Sequence, residues 1–308
     1  MIYKFGPEGT YRCADRMSME ELRCAMQNRE VLQSTALAFD TNRQLRFELG
    51  CGRGLMPFEE CADGAERGIV RDIAVLTRVG RPTCFVIQQI CDDGDEDVRF
   101  ILSRAQAQRV CKEEYLDNLQ PGDIIEATVT HIEPFGAFCD VGCGISALMP
   151  IDCLSVSRIS NPADRVSTGQ KICCVIKNRD QQGRLVLSLR ELLGTWEENA
   201  AEFSSGETVV GIVRSVEEYG TFIEIAPNLA GLAESSPDLK PGQVVSVYIK
   251  NILPEKMKVK LVIVNRNLSQ TLRFDLRYYI TEGHLDRWVY STPESRKTIA
   301  TDFGYALL

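Results

Sequence analysis

Histidine and tryptophan are scarce in this chain, two of each in 308 residues. The two histidines, His131 and His284, cannot form a paired-histidine metal motif, and they leave few general bases of the usual kind. A glycine-rich phosphate loop is also missing: Gly50-Cys51-Gly52-Arg53-Gly54 follows a strand signal but runs into Leu55-Met56-Pro57 instead of opening a helix. No G-x-S-x-G occurs. No apolar run approaches the roughly 18 residues of a membrane helix, and the N-terminal Met-Ile-Tyr-Lys-Phe-Gly-Pro-Glu-Gly lacks the charged head and apolar core of a signal peptide. The expected location is therefore the cytoplasm, with no membrane partner, no cofactor and no enzyme activity.

Cysteine is absent from the last 134 residues, all twelve lying between Cys13 and Cys174 at irregular spacings. Zinc would need pairs such as C-x-x-C, and the nearest approaches are Cys139-x-x-x-Cys143 and the adjacent Cys173-Cys174, with only His131 and His284 to complete a site. These thiols read as small buried hydrophobes in a reducing compartment. An excess of basic charge is missing as well. The net charge is −8, and the basic and acidic counts are 16 and 20 over residues 1–118, 7 and 8 over 119–191, 7 and 10 over 192–266, and 5 and 5 in the tail. Any binding of a polyanion must then rest on local charge and on stacking, because long-range steering is weak.

What the chain does have is a repeat. Pro134-Phe135-Gly136-Ala137-Phe138 returns 84 positions later as Glu218-Tyr219-Gly220-Thr221-Phe222. Aromatics three apart cannot share one face of a straight strand. The glycine between them is read as a bend or bulge that brings both rings to one side and leaves bare backbone where a flat ligand approaches.

Around the first copy, Ile125, Ala127 and Val129 alternate with Glu126, Thr128 and Thr130, the period of a half-buried strand. Further strand signals run through Phe138 to Val141, Lys171 to Ile176 and Arg184 to Arg190, punctuated by Gly142-Cys143-Gly144, Asn161-Pro162 and Asp180-Gln-Gln-Gly183. Short Val- and Ile-rich strands at this density predict a closed five-stranded OB barrel. The second copy keeps the plan but trims the middle loop, with eight residues between Leu232 and Pro241 where the first has twenty between Leu148 and Gly169. Upstream, Asn42 to Leu49, Gly50-Cys51-Gly52 and Leu55-Met56-Pro57 match the frame a third time, with Arg43 and Arg46 where the later copies carry aromatics. Ser18-x-x-Glu21, Ser103-x-x-Gln106 and Thr195-x-x-Glu198 mark helix starts between these units.

The predicted fold is mainly β with linking helices, a tandem of OB barrels. Its expected parts are an N-terminal segment with a short helix (1–28), a degenerate barrel (29–104), a helical linker (105–118), the clearest barrel (119–191), a second linker (192–203), a further barrel (204–266) and an extension (267–308) packing on the last barrel.

These features resemble the S1 RNA-binding domain family, well over residues 119–266 and weakly over about 29–104. The middle unit carries a G-D-x-x-x-A-x-V strand, P-F-G-A-F, a G-x-G turn before Leu148, and D-x-x-G-R ending in L-S-L-R. The whole chain is similar to the short S1-like proteins of Gram-positive anaerobes. The resemblance implies an RNA face formed by Phe135, Phe138, Asp180 and Arg184, and by Tyr219 and Phe222 in the next unit. It also implies a histidine, where this sequence has Pro150 in one unit and Glu234 in the other.

Beside the resemblance stands a physical reading, in which bases stack on the rings while Arg184 and Lys177 in the middle unit, and Lys250 and Lys258 in the next, engage phosphates. The expected partner is single-stranded RNA, mRNA by the resemblance, with the 30S ribosomal subunit as a further partner and the protein a monomer. The bland reading puts Phe135 and Phe138 in the core, as most phenylalanines are. Against it, Ile125, Val129, Val141, Ile172 and Leu187 already fill a barrel of this size. A second functional reading stays open: an acidic array of barrels that docks on the ribosome or another protein and binds little RNA.

Overall fold

The computed structural model describes residues 5–92, 98–266, 268 and 271–304. They group in two compact units, Met1–Leu119 with Asp140–Ser146, and Gln120–Cys139 with Ala147–Leu308.

In the first unit β1 (Arg12–Cys13) precedes α1 (Met19–Gln27), which is opened by Ser18 and Glu21 in a reciprocal capping box. The sheet that follows is built from β2 (Leu32–Thr35), β3 (Ala38–Phe39), β4 (Gln44–Leu49), β5 (Gly52–Pro57), β6 (Pro82–Cys91) and β7 (Arg99–Ser103), with α2 (Asp72–Leu76) before β6. Its order is β1-β2-β6-β7-β5-β4-β3. Between β2 and β3 the chain changes partner: the Ala36 amide donates to the Arg81 carbonyl, while that of Leu37 donates to the Arg46 carbonyl. The break thus divides one strand between two neighbours. α3 (Arg104–Glu114) starts at Ser103, whose hydroxyl accepts the Gln106 amide.

A buried charge cluster sits in this unit. Arg104 Nε donates to Glu8 Oε1 at 2.7 Å, and Arg78 pairs with the other oxygen of Glu8. Asp140 accepts the amides of Glu8 at 2.7 Å, Gly142 at 2.9 Å and Gly144 at 3.0 Å. Burial works against the charge on Glu8, but Arg104 and Arg78 outweigh it and hold the carboxyl below its usual range. Burial, with Glu8 as a like-charged neighbour, pushes Asp140 up to about 6. The two carboxyls therefore act in opposite directions on stability. A raised carboxyl binds its proton more tightly folded than unfolded, so Asp140 makes this unit less stable as pH rises from about 4, the unfolded value, to about 6. A depressed carboxyl stabilises above its unfolded value, and the contribution of Glu8 is lost as pH falls below it. Carboxyl-carbon NMR will show Asp140 titrating near pH 6 with Glu8 ionised throughout that step; an Asp140 midpoint near 4 would overturn this account.

The second unit holds two closed barrels. The first is made of β8 (Ile124–Glu133), β9 (Gly136–Asp140), β10 (Ser146–Pro150), β11 (Lys171–Arg179) and β12 (Leu185–Ser188), with α4 (Ile151–Leu154) after β10. Next come α5 (Trp196–Ala200), capped by the Thr195–Glu198 box, and the second barrel: β13 (Thr208–Glu217), β14 (Gly220–Ala226), β15 (Leu229–Ala233), β16 (Val244–Leu253) and β17 (Lys258–Asn265). The closed orders, β10-β12-β11-β8-β9 and β13-β14-β15-β17-β16, are one topology, with strands 1-2-3-5-4 around the barrel. With β2 and β3 counted as one interrupted strand, the sheet of the first unit runs in the same order.

Ile125, Val129, Ile172 and Leu187 are buried, as the alternation requires, and so is Val141 in the first unit's loop. Seven of the twelve cysteines are buried, but Cys13 and Cys24 are exposed, Cys24 on the outer face of α1, so the reading of all twelve as core thiols is corrected for these two. No cluster of metal-ligating groups occurs among the described residues.

The loop that is long in the middle barrel, residues 155–168, docks on the next barrel. Arg165 Nη1 lies 3.2 Å from Glu224 Oε2, with its other nitrogen on Oε1. Arg214 Nε donates to Glu224 Oε2 at 2.7 Å and its Nη1 reaches Asp164 at 3.1 Å. Arg165 and Glu224 are fully buried. Asn228 adds to the seam, its carboxamide oxygen accepting the Val156 amide at 2.8 Å while its Nδ2 donates to the Arg190 carbonyl at 2.8 Å. The tail then returns over both barrels. The Leu285 amide donates to the Gly122 carbonyl, His284 Nδ1 lies 2.7 Å from Asp123, and a ribbon of β18 (Arg287–Val289) and β19 (Ala300–Asp302) buries Trp288, Tyr290 and Phe303 in the core of the last barrel.

Candidate nucleic-acid interface

Each ring pair is set by a two-residue hairpin turn. Pro134–Phe135 joins β8 to β9 and Glu218–Tyr219 joins β13 to β14, so the first ring of each pair stands in the turn and is free of strand alternation. Phe138 and Phe222 lie one turn of the pleat further on, on the outer face and half-buried. Phe135 is 56% exposed and Tyr219 is 72% exposed. The Phe135 and Phe138 centroids are 6.1 Å apart with the rings at 90°, and those of Tyr219 and Phe222 are 6.1 Å apart at 84°. Two different sequences, F-G-A-F and Y-G-T-F, thus produce one geometry.

The glycine between the rings has another role than a ligand approach. Gly136 and Gly220 are buried, and a Cβ on them would sit 2.5 Å from the Met149 carbonyl oxygen and 2.7 Å from that of Ala233. They let the neighbouring strand close the barrel. The bulge expected at the glycine falls instead on the facing strand, where the register shifts between Val213 and Ser215. The extra residue, Arg214, turns inward to Glu224.

Sequence reasoning missed a third ring. His131, on β8, stacks on Phe138 with centroids 6.4 Å apart and planes 25° from parallel, and its Nε2 lies 2.7 Å from Glu133. A signal is there, since His131 falls two past Val129 and four before Phe135, but a histidine this scarce points first to metal or general-base chemistry.

Asp180 and Arg184 close the β11–β12 hairpin. Asp180 accepts the amides of Gln182 and Arg184 at 2.8 and 2.9 Å, and Arg184 Nε donates to its other oxygen at 2.7 Å. The Arg184 hydrogen bonds hold the Asp180 carboxyl below its ordinary range. Asp180 therefore orients Arg184, whose side chain is 65% exposed. Lys177 turns its ammonium to Cys153 Sγ at 3.1 Å and lies 4.0 Å from Asp152.

In the last barrel the register lines up Phe222 with Leu232 and Leu232 with Lys260, and Lys258 shares the outer face of β17. Tyr219, Phe222 and Lys258 line one cleft of about 580 Å³, while Lys250, exposed on β16, lies outside it. In the first unit Arg43 and Arg46 occupy the ring positions. Arg43 lies 4.4 Å over the Phe58 ring and pairs with Asp72 at 2.8 Å, while Arg46 is exposed, so arginines stand here in place of the ring pair.

Residues 118–190 match the family model of the S1 RNA binding domain. The chain is 31% identical over 67% of its length to the small ribosomal subunit protein bS1 of Staphylococcus saprophyticus, of which it covers 56%. It is 32% identical over 56% of its length to that of Leuconostoc lactis, of which it covers 44%. The chain thus spans about half the length of these relatives. Among solved structures, a multidomain protein with nucleic acid binding domains from Streptococcus pneumoniae is 13% identical, covers 78% of this chain and 75% of its own, and superposes with a TM-score of 0.25.

Proposed function

With residues 118–190 an S1 RNA binding domain, we propose that the chain is a non-catalytic binder of single-stranded RNA that acts in translation, holding mRNA across its two closed barrels. The observation that carries this reading is the duplicated ring pair, its first ring exposed, its second half-buried, and its geometry alike on both barrels. Exposed phenylalanine costs solubility and contributes nothing to a core, whereas a base stacked on such a ring contributes about 1–3 kcal/mol with little regard to sequence. Single strands are favoured over duplexes because only unpaired bases can splay onto the rings. The bS1 relatives are small ribosomal subunit proteins, which supports the 30S subunit as the place of action and the cytoplasm as the compartment.

The test is fluorescence anisotropy of a labelled U-rich single strand titrated with the intact protein at low and moderate salt. Saturable binding that weakens with salt, with a duplex of equal length binding poorly, is the expected result. No binding at low salt would favour the docking module, a reading that the net charge of −8 and the pairing of Arg184 with Asp180 keep in play. A pull-down with 30S subunits would then decide it.

A further inference from the structure

The cleft beside Tyr219 and Phe222 is built from more than its barrel. One wall carries Lys256 from the β16–β17 turn and Lys258 from the start of β17, another Arg158 from the docked loop of the middle barrel, and the rim is completed by Lys297 from the loop between β18 and β19. These four cations are exposed, and among the described residues none of them holds an ion pair. Among the described residues the one carboxylate lining the cleft is that of Glu217, and a fifth cation there, Arg214, is spent on Glu224 and Asp164. Lys297 is placed by anchored structure. Trp288 and Tyr290 are buried beneath its ribbon, the Trp196 amide donates to the Tyr290 carbonyl at 2.9 Å, and Thr292 Oγ1 donates to the Pro254 carbonyl at 2.8 Å, tying the ribbon loop to the lysine turn.

We propose that the docked loop and the C-terminal extension complete a pocket for one nucleotide of the bound strand, its base on Tyr219 and Phe222 and its phosphates between Arg158, Lys297 and the lysine turn. A cleft of about 580 Å³ falls in the range of small-ligand sites, roughly 300–1,000 Å³, and its combination of ring faces with unpaired cations selects a planar anion. In the middle barrel Arg184 is already held by Asp180 and Lys177 is turned to Cys153 and Asp152, so the last barrel is the site of greater salt dependence. This inference rests on the RNA-binding reading above.

The experiment is the anisotropy titration repeated with R158A/K297A in the full chain, using a labelled 12-nucleotide oligo(U) over a salt series. Each lost phosphate contact removes about 0.7 from the slope of log affinity against log salt for a single strand. The double variant is expected to bind roughly tenfold more weakly, with the slope reduced by about 1.4, and to melt like the parent because both side chains are exposed. Unchanged affinity and slope in the variant, with the parent binding RNA normally, would overturn the pocket and leave the general reading intact. A parent that binds no RNA would overturn both. Lys297→Arg in the R158A background should restore about half of the lost slope, a rescue that a loss of packing would not show.

Discussion

Replacing Glu224 with alanine will destabilise the two-barrel unit by about 3–5 kcal/mol, because it leaves Arg165 buried without its anion and Arg214 with Asp164 alone. Glu224 is fully buried and is held by Arg165 from the docked loop and Arg214 from its own barrel. Arg165 is already under-satisfied, its Nε having no hydrogen-bond partner among the described residues. Water cannot reach the stranded Arg165 guanidinium without opening the seam at residues 155–168. Urea unfolding followed by tryptophan fluorescence reports the loss directly, since Trp196 and Trp288 are both buried in the core of the last barrel.

A control separates the cost of stranding charge from the worth of the pair. A variant with Glu224→Leu and Arg165→Met removes the buried pair together, leaving Arg214 its contact with Asp164 at 3.1 Å. Breaking a buried pair costs far more than replacing it by apolar groups of similar volume, so the double variant should regain most of the loss. If Glu224→Ala changed stability by less than about 1 kcal/mol, a figure typical of exposed pairs, the seam would not be held in this way.

Phe135→Ala with Phe138→Ala will weaken binding of single-stranded RNA by about 2–4 kcal/mol, from roughly 1–3 kcal/mol per stacked base. That is about thirtyfold to a thousandfold in affinity. The salt slope should stay unchanged, because no phosphate contact is removed. Thermal melting should fall only modestly, as Phe135 is more than half exposed and Phe138 is half-buried against His131. A collapse of folding in the double variant would show instead that the rings belong to the core. The opposite pattern, a reduced slope with a loss of affinity that is largest at low salt and shrinks as salt rises, is expected of the cation variant on the last barrel. The two sets of variants therefore divide stacking from charge.

The barrels are legible in the sequence because their determinants are local. Period-two alternation at Ile125, Ala127 and Val129 places one face inward, and glycine turns delimit strands too short for a helix. The three helix starts are legible for the same reason: a capping pair needs only residues three apart, and Ser18, Ser103 and Thr195 each accept the expected amide. Repetition of an aromatic pair marks the site, since a two-residue turn converts spacing in sequence into spacing in space.

Other features depend on residues far apart in the chain. His131 joins the ring platform only because β8 and β9 pair as a hairpin, which puts it beside Phe138. The role of Gly136 is set by the Met149 carbonyl across the barrel, and no property of F-G-A-F announces it. The long middle loop is visible as a length difference of twelve residues, twenty against eight, but not as a clasp, because Arg165 and Glu224 are 59 positions apart. Likewise nothing in the sequence around Lys297 connects it to Arg158 or to Tyr219. Sequence alone determined which residues could form strands, caps and exposed ring pairs, since those follow from short-range sterics and the period of the backbone. Tertiary structure decided which charges are spent on one another and which remain open to a ligand, because pairing is settled only when distant side chains are buried together.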